Sequence, residues 1–261
     1  MPIFIERSCA ISFAQNFKDR SHHALNFICS QPESRICTMP EDELMERTRA
    51  LAAEFAERGD VLGWFDELYK RAGGDHEQIK WADLEPNKYL RSWAEDTGLK
   101  GDGRNALVVG CGLGDDARYL YDLGFTVTAF DISATAIDWA KKLHHDTSIN
   151  FVTADLFHPP GEWLRAFDLV LEIYTIQPLP LEIRSDVIDA VAAFVGNDGE
   201  LVVVTRGRED DAIPEKLPWP VSRRELSRFE ASGLEQTNFR IFPADDEGDP
   251  DRWVIQMKKV K

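Results

Sequence analysis

Cysteine is scarce in this chain and poorly placed for structural work. The 261 residues hold four, Cys9, Cys29, Cys37 and Cys111. None forms a C-x-x-C pair or stands near histidines at zinc spacing, so neither a metal centre nor a disulfide framework is expected. Histidine is equally thin. His22–His23 and His144–His145 are adjacent pairs; on a helix such neighbours diverge by about 100°, so neither pair chelates one ion readily, and the second suits a helix C-terminus. No apolar run approaches the roughly 20 residues a membrane span requires, and no signal-peptide pattern opens the chain, so a cytoplasmic protein is expected. Basic residues are outnumbered, 30 Lys and Arg against 46 Asp and Glu, for a formal charge of −16. That surface repels phosphate backbones and excludes long nucleic acid as a partner; Arg223–Arg224, in a mixed-charge helix, does not reverse it. Repeats and low-complexity linkers are also missing. With 43% apolar residues the chain can bury one sizeable core, which bounds it to one main domain with additions, as a monomer or a homodimer.

Three stretches differ in pattern. Residues 1–38 show no long periodic element and hold three of the cysteines, so little contribution to activity is expected of them, and the pattern admits a start at Met39. Residues 39–100 read as a helical cap. Thr38-Met-Pro-Glu41 has the form of a capping box, and Leu44, Thr48, Leu51 and Phe55 share one helix face ahead of Gly59. A second helix carries Trp64, Phe65, Leu68 and Tyr69 and stops at Gly73–Gly74. These aromatics serve either a core or a lid. From residue 101 to 261, strand and helix alternate as in a parallel α/β sheet with right-handed crossovers.

The most informative segment is Asn105–Asp131, NALVVGCGLGDDARYLYDLGFTVTAFD. Ala106–Val109 has the composition of a strand buried on both faces. Gly110, Gly112 and Gly114 follow; glycine permits positive φ and lets the backbone approach a ligand. Asp131 ends the next strand near the distance at which a carboxylate accepts hydrogen bonds from ribose hydroxyls. A dinucleotide remains open on these residues, since Gly112, Gly114 and Ala117 satisfy the permissive G-x-G-x-x-G/A form. A pyrophosphate would then sit beside Asp115 and Asp116, whose charges oppose an anion and tolerate the sulfonium of S-adenosylmethionine.

Later segments fall in an order that resembles the class I S-adenosylmethionine-dependent methyltransferases, from about Trp81 onward. VVGCGLG at Val108–Gly114 is similar to their first motif, and VTAFDIS at Val127–Ser133 to the second, with its ribose-binding acid. NFVTADLF at Asn150–Phe157 is similar to the segment whose acid receives the adenine amino group, a role that falls on Asp155. FDLVLEIYTIQPLP at Phe167–Pro180 resembles the fourth motif, whose strand end and loop face the methyl group; those positions are Glu172, Tyr174 and Gln177. GELVVVT at Gly199–Thr205 resembles the fifth strand, after a helix over roughly 182–195, and two closing strands near 235–242 and 252–259 the terminal hairpin.

The fold this implies is an open, mostly parallel seven-stranded Rossmann-like sheet with an antiparallel C-terminal hairpin and the helical cap. The implied cofactor-binding set is Trp81, Gly110, Cys111, Gly112, Gly114, Asp131, Ile132, Asp155, Leu156 and Glu172. Within the superfamily, Trp81-Ala-Asp-Leu-Glu-Pro86 and a helix over 87–97 resemble the tryptophan-containing segment that folds over the cofactor in thiopurine and thiol or halide methyltransferases.

The reaction expected is in-line displacement, in which alignment and exclusion of water matter more than a dedicated base. Glu172 and Tyr174 are the catalytic candidates. Glu172 reads more readily as a strand-end acid that holds neighbouring amides or the methionine amino group than as a general base, and Tyr174 reads equally as packing. Cys111 reads as a small packing residue. Arg206 and Trp219 point toward the crevice beyond the strand ends. A small-molecule acceptor, favouring a thiol, is expected. The alternatives are an NAD(P)-dependent oxidoreductase, against which stands the lack of a Tyr-x-x-x-Lys arrangement, and a non-catalytic cofactor-binding regulator.

Overall fold

The computed structural model describes residues 41–244 and 248–260. The N-terminal stretch to residue 38, its cysteines, His22–His23 and the proposed capping box at Thr38 lie outside the described residues. Three helices open the described chain: α1 (Glu41–Glu57), α2 (Gly63–Ala72) and α3 (Lys88–Thr97). The α/β alternation then runs β1 (Asn105–Val109), α4 (Asp115–Asp122), β2 (Thr126–Asp131), α5 (Ala134–Leu143), β3 (Asn150–Thr153), β4 (Phe167–Ile173), α6 (Arg184–Ala193) and β5 (Val195–Arg208). Four short or closing elements complete it before the last strand: β6 (Val221–Ser222), α7 (Arg223–Leu226), α8 (Arg228–Ala231) and β7 (Leu234–Phe242); β8 (Arg252–Lys259) follows.

The sheet order is β3-β2-β1-β4-β5-β8-β7, with β6 paired to β5 off that path. Strands β3, β2, β1, β4 and β5 are mutually parallel, and β8 joins β5 antiparallel before β7 closes the edge. The expected seven-stranded sheet with a C-terminal hairpin is present, with β6 as a two-residue addition. Alternation along the strands separates two buried layers, because successive side chains leave a strand on opposite faces. Ala106, Val108, Leu169, Leu171, Val202 and Val204 pack with α3, α4 and α5. Leu107, Val109, Val170, Leu201 and Val203 pack with α6 and Phe229 of α8.

The cap has its own apolar centre, where Leu51 of α1 and Trp64, Leu68 and Tyr69 of α2 meet Leu113 and Ala136. Thr48, on the same face of α1, is buried and donates to the Leu44 carbonyl at 3.0 Å, as a helical threonine without another partner does. Helix α2 ends at Gly73 with φ 60°, a left-handed cap. The helix expected over 182–195 is shorter: a 3-10 turn spans Leu181–Ile183, α6 stops at Ala193, and Val195 already pairs with Phe167. Sheet pairing outcompetes the last helical turn. No helix among the described residues is long and apolar enough to cross a membrane.

Helix α3 seats the cap side on the sheet. Asn87 accepts from the Tyr89 and Leu90 amides as its N-cap, Leu90 is fully buried, and Trp93 Nε1 donates to Gln256 Oε1 of β8 at 3.4 Å. Leu90→Ala is therefore expected to destabilise the fold by about 2–5 kcal/mol, the range for truncating a buried leucine. Urea denaturation measures it; a loss well under that range would show that α3 is not packed against the sheet.

Candidate functional site

A cavity of about 650 Å³ lies over the C-terminal ends of the parallel strands, roofed by α1, α2 and the segment leading into α3. Ligands of open α/β sheets bind at this edge, because the loops there leave strands whose pairing has ended. At its centre the β1–α4 turn is held by Asp131. One carboxylate oxygen accepts the Gly112 amide at 3.0 Å and the other the Ser133 amide at 2.9 Å. Burial pushes the Asp131 carboxyl up while these amides oppose that rise, and the residue still borders the cavity. Ser133 Oγ donates to Asp66 Oδ1 at 2.8 Å, and the Thr135 amide donates to the same oxygen. The cap is thus fastened to the cofactor-side loops through Asp66. Partial burial works against the charge of Asp66, but Lys70, Thr135 and Ser133 together hold its carboxyl well below the usual range.

Two of the turn glycines serve the protein's own packing. A Cβ on Gly110 would fall 2.5 Å from Thr175 Oγ1, and one on Gly114 would fall 2.7 Å from the Phe151 ring. Both have positive φ, 60° and 89°. The space that glycine opens is filled there by the β4 loop and by β3 rather than by a ligand. Gly114 does not border the cavity; Gly110, Cys111 and Gly112 do. Burial pushes the Cys111 thiol well up, with Asp131 adding to it, which disfavours the thiolate.

Asp115 and Asp116, which the sequence presents as two charges facing the turn, have distinct settings. Asp116 accepts the Asn87 amide at 2.8 Å, locking the α3 approach to α4, and burial raises it to about 7. Burial also raises Asp115, while His144 at 3.8 Å opposes that rise. His144, the C-cap of α5, contacts the Leu113 carbonyl at 3.0 Å and stacks on Phe151. The repulsion toward a phosphate is therefore weaker than two full charges, though its sign is unchanged.

Trp81, Gly110, Cys111, Gly112, Asp131, Ile132, Asp155, Leu156 and Tyr174 all border the cavity, as do Gln177 and Arg206. Trp81 Nε1 donates to the Tyr69 hydroxyl at 3.0 Å, and its ring meets Trp64 edge-on, while Trp64 stacks on Phe65 at 3.9 Å. The aromatic face of α2 is thus both cap core and cavity wall. Asp155 accepts the Phe157 amide at 2.9 Å and meets His158 at 2.7 Å, so its carboxylate shapes the turn after β3. Glu172, Gly114 and Trp219 stand outside the lining. Glu172 is completely buried, and one oxygen accepts the Thr175 and Ile176 amides at 2.6 and 2.9 Å. That is the strand-end role, holding the loop that carries Tyr174, and it leaves no contact with an acceptor in the cavity.

Sequence reasoning passed over Asn87, Lys80 and Arg252, all of which border the cavity. The available signal for Arg252 was its place as first residue of an antiparallel strand. Such a strand starts where its parallel neighbour ends, at the same crevice.

Burial pushes the Glu172 carboxyl up to about 7, with the Ile176 and Thr175 amides and Arg184 pulling the other way. A carboxyl whose folded value is raised stabilises the fold fully below its unfolded value, near 4.5, and loses that contribution as pH rises toward 7. Glu172→Gln keeps an acceptor for the loop amides and removes the titration. Its thermal midpoint is expected to fall less than the wild type's between pH 4.5 and 7.5, about the window in which this carboxyl ionises. Parallel profiles would show that Glu172 ionises normally. Asp116 follows the same sign in both proteins and cancels.

Residues 106–199 match the family model described as a methyltransferase domain. No curated protein is similar to this chain. Among solved structures, the N-methyltransferase NodS of Bradyrhizobium japonicum WM9 shares a TM-score of 0.58 at 16% identity over 75% of this chain and 97% of its own. The magnesium protoporphyrin IX methyltransferase of Synechocystis PCC 6803 gives 0.57 at 16% identity over 75% and 95%. The 1,6-didemethyltoxoflavin-N1-methyltransferase of Burkholderia thailandensis gives 0.51 at 15% identity, covering 85% of this chain and 91% of its own. At these identities the likenesses establish the fold, and the matched domain supplies the enzyme class. Residues 106–199 thus form a methyltransferase domain on the fold these enzymes share.

Proposed function

We propose that the chain is an S-adenosylmethionine-dependent methyltransferase acting on a small molecule, with a thiol as the favoured nucleophile. The observation that carries this reading is the cavity in which the Gly110–Gly112 turn, Asp131 and the Tyr174 loop share one space under an aromatic roof. In this reading Asp131 accepts from the cofactor ribose with the lone pairs that Gly112 and Ser133 leave, and Asp155 faces the adenine. Ile132 and Leu156 flank the base, and Gly110, Cys111 and Gly112 line the amino-acid side. The helices of residues 39–100 act as the lid, with Trp81 tied to it through Tyr69. The bound cofactor supplies a methyl group on a positive sulfur. The protein's own contribution is to align the acceptor near Tyr174 and to keep water out.

The thiol preference rests on what the cavity offers as a base. Among the described residues no histidine lines it, Glu172 is sequestered behind the loop, burial raises the Tyr174 phenol, and Asp116, the lining acid raised to about 7, is engaged by the Asn87 amide. A thiolate is partly available near neutral pH and needs least help, whereas a hydroxyl acceptor needs its proton removed. The 1,6-didemethyltoxoflavin and magnesium protoporphyrin IX enzymes act, by their names, on small molecules, which supports a small-molecule acceptor. The acidic surface opposes nucleic acid as acceptor. The oxidoreductase and non-catalytic readings are not favoured, the first because Asp115 and Asp116 oppose a pyrophosphate at the turn.

Asp131→Ala is expected to weaken S-adenosylmethionine binding by about 1.5–3 kcal/mol, the scale of hydrogen bonds to a charged group. Calorimetry on the folded variant decides it, and unchanged affinity sinks the ribose role. For Asp155 the ranking is the test: Asn keeps an acceptor oxygen and should bind better than Ala. Equal affinities in wild type and both variants would leave Asp155 as a turn residue only. Initial rates of S-adenosylhomocysteine release across thiols, amines, phenols and carboxylic acids test the acceptor. Turnover of thiols is expected, and turnover confined to hydroxyl or carboxylate acceptors contradicts the thiol reading.

A further inference from the structure

Past Tyr174 the cavity runs over β5 and β8, away from the glycine turn over β1. Two arginines stand there as direct cross-strand partners, Arg206 on β5 and Arg252 on β8, and both border the cavity. Like charges directly opposite on an antiparallel pair destabilise it. Both side chains are also largely buried, 20% and 10% exposed, in a chain whose net charge is −16. The Arg206 guanidinium covers the Tyr174 ring at 5.3 Å from its centre. Asp249 bonds Arg252, together with the Pro250 carbonyl, but stays 3.7 Å from Arg206, beyond hydrogen-bond length. Lys80 lines the same space from the roof; burial lowers its ammonium, and Arg206 and Arg252 add to that.

We propose that this end of the cavity is an anion subsite, in which Arg206 and Arg252, with Lys80 opposite, hold a single carboxylate on the methyl acceptor. The proposal rests on the methyltransferase reading above and adds the acceptor's class: an apolar body against the aromatic roof with one carboxylate as anchor. Arginine suits the role, since its planar fork matches a carboxylate. A chain of net charge −16 repels a phosphate dianion more than a singly charged carboxylate, which favours the carboxylate. The carboxylate is the handle, distinct from the atom that receives the methyl group.

The test uses benzoate and benzamide, matched in shape and different in charge, titrated calorimetrically into the full chain with and without saturating S-adenosylhomocysteine. Benzoate is expected to bind about ten-fold or more tightly than benzamide, and Arg206→Gln or Arg252→Gln to erase most of that difference while leaving benzamide unchanged. Arg252 also holds Asp249 and the Pro250 carbonyl, so if its variant fails to fold, Arg206→Gln decides alone. Equal binding of the two probes, no binding of benzoate, or benzoate binding indifferent to Arg206→Gln overturns the subsite. So does loss of S-adenosylhomocysteine affinity in Arg206→Gln with no benzoate binding, which would give the pair to the cofactor's own carboxylate. A wild-type chain that binds no S-adenosylhomocysteine counts against the methyltransferase reading instead, and the benzoate comparison without it still decides the anion subsite.

Discussion

The buried carboxylate of Asp131 is the fixed point of this molecule. It ends β2, bridges the amides of Gly112 and Ser133, and so ties the β1 turn to the start of α5. Because parallel strands end with unpaired amides at one edge, some acceptor must gather them, and here one side chain does so for two loops at once. Ser133 passes the linkage to Asp66 on α2, and Asp116 makes a second tie to the Asn87 amide ahead of α3. The cap is joined to the turn by polar bonds as well as by the apolar contact of Leu113 and Ala136 with α2. A change at Asp131 should therefore reach both the turn and the lid.

Beyond the turn, a second set of buried charges positions the far wall. Arg184 is 2% exposed and donates to the Trp219 carbonyl at 2.7 Å and to Glu225 at 2.8 Å. Gln177 accepts the Arg206 amide at 3.0 Å. These bonds clamp the loop after β4 to the end of β5 and to the segment before β6. Together with Glu172 under the Thr175 and Ile176 amides, they hold Tyr174 in a left-handed conformation, φ 59°, which a non-glycine residue adopts only when its surroundings enforce it. The strain falls at the residue where the turn side and the arginine side of the cavity meet.

Much of this was legible from the residues. Ala106–Val109 read as a strand because buried parallel strands are apolar on both faces, the β4 segment was legible through its resemblance to the fourth motif, and Asp131 through its place at the end of the next strand. Other features depended on contacts that chain order does not display. Glu172 looked like a cavity acid because it ends β4, yet its pairing with Val109 and Val203 on either side keeps it inside the sheet. The turn glycines looked like ligand contacts, but Thr175 and Phe151, far along the chain, claim the space at Gly110 and Gly114. Arg252 meets Arg206 only because β8 inserts beside β5, with β6, α7, α8 and β7 between them in sequence.

The central claim is that the turn and Asp131 receive a nucleoside with a sulfonium and reject one with a pyrophosphate. Paired calorimetric titrations of the full chain with S-adenosylmethionine and with NADH test it most directly. Saturable binding of S-adenosylmethionine with none of NADH is the predicted result. Saturable binding of NADH without S-adenosylmethionine would contradict it.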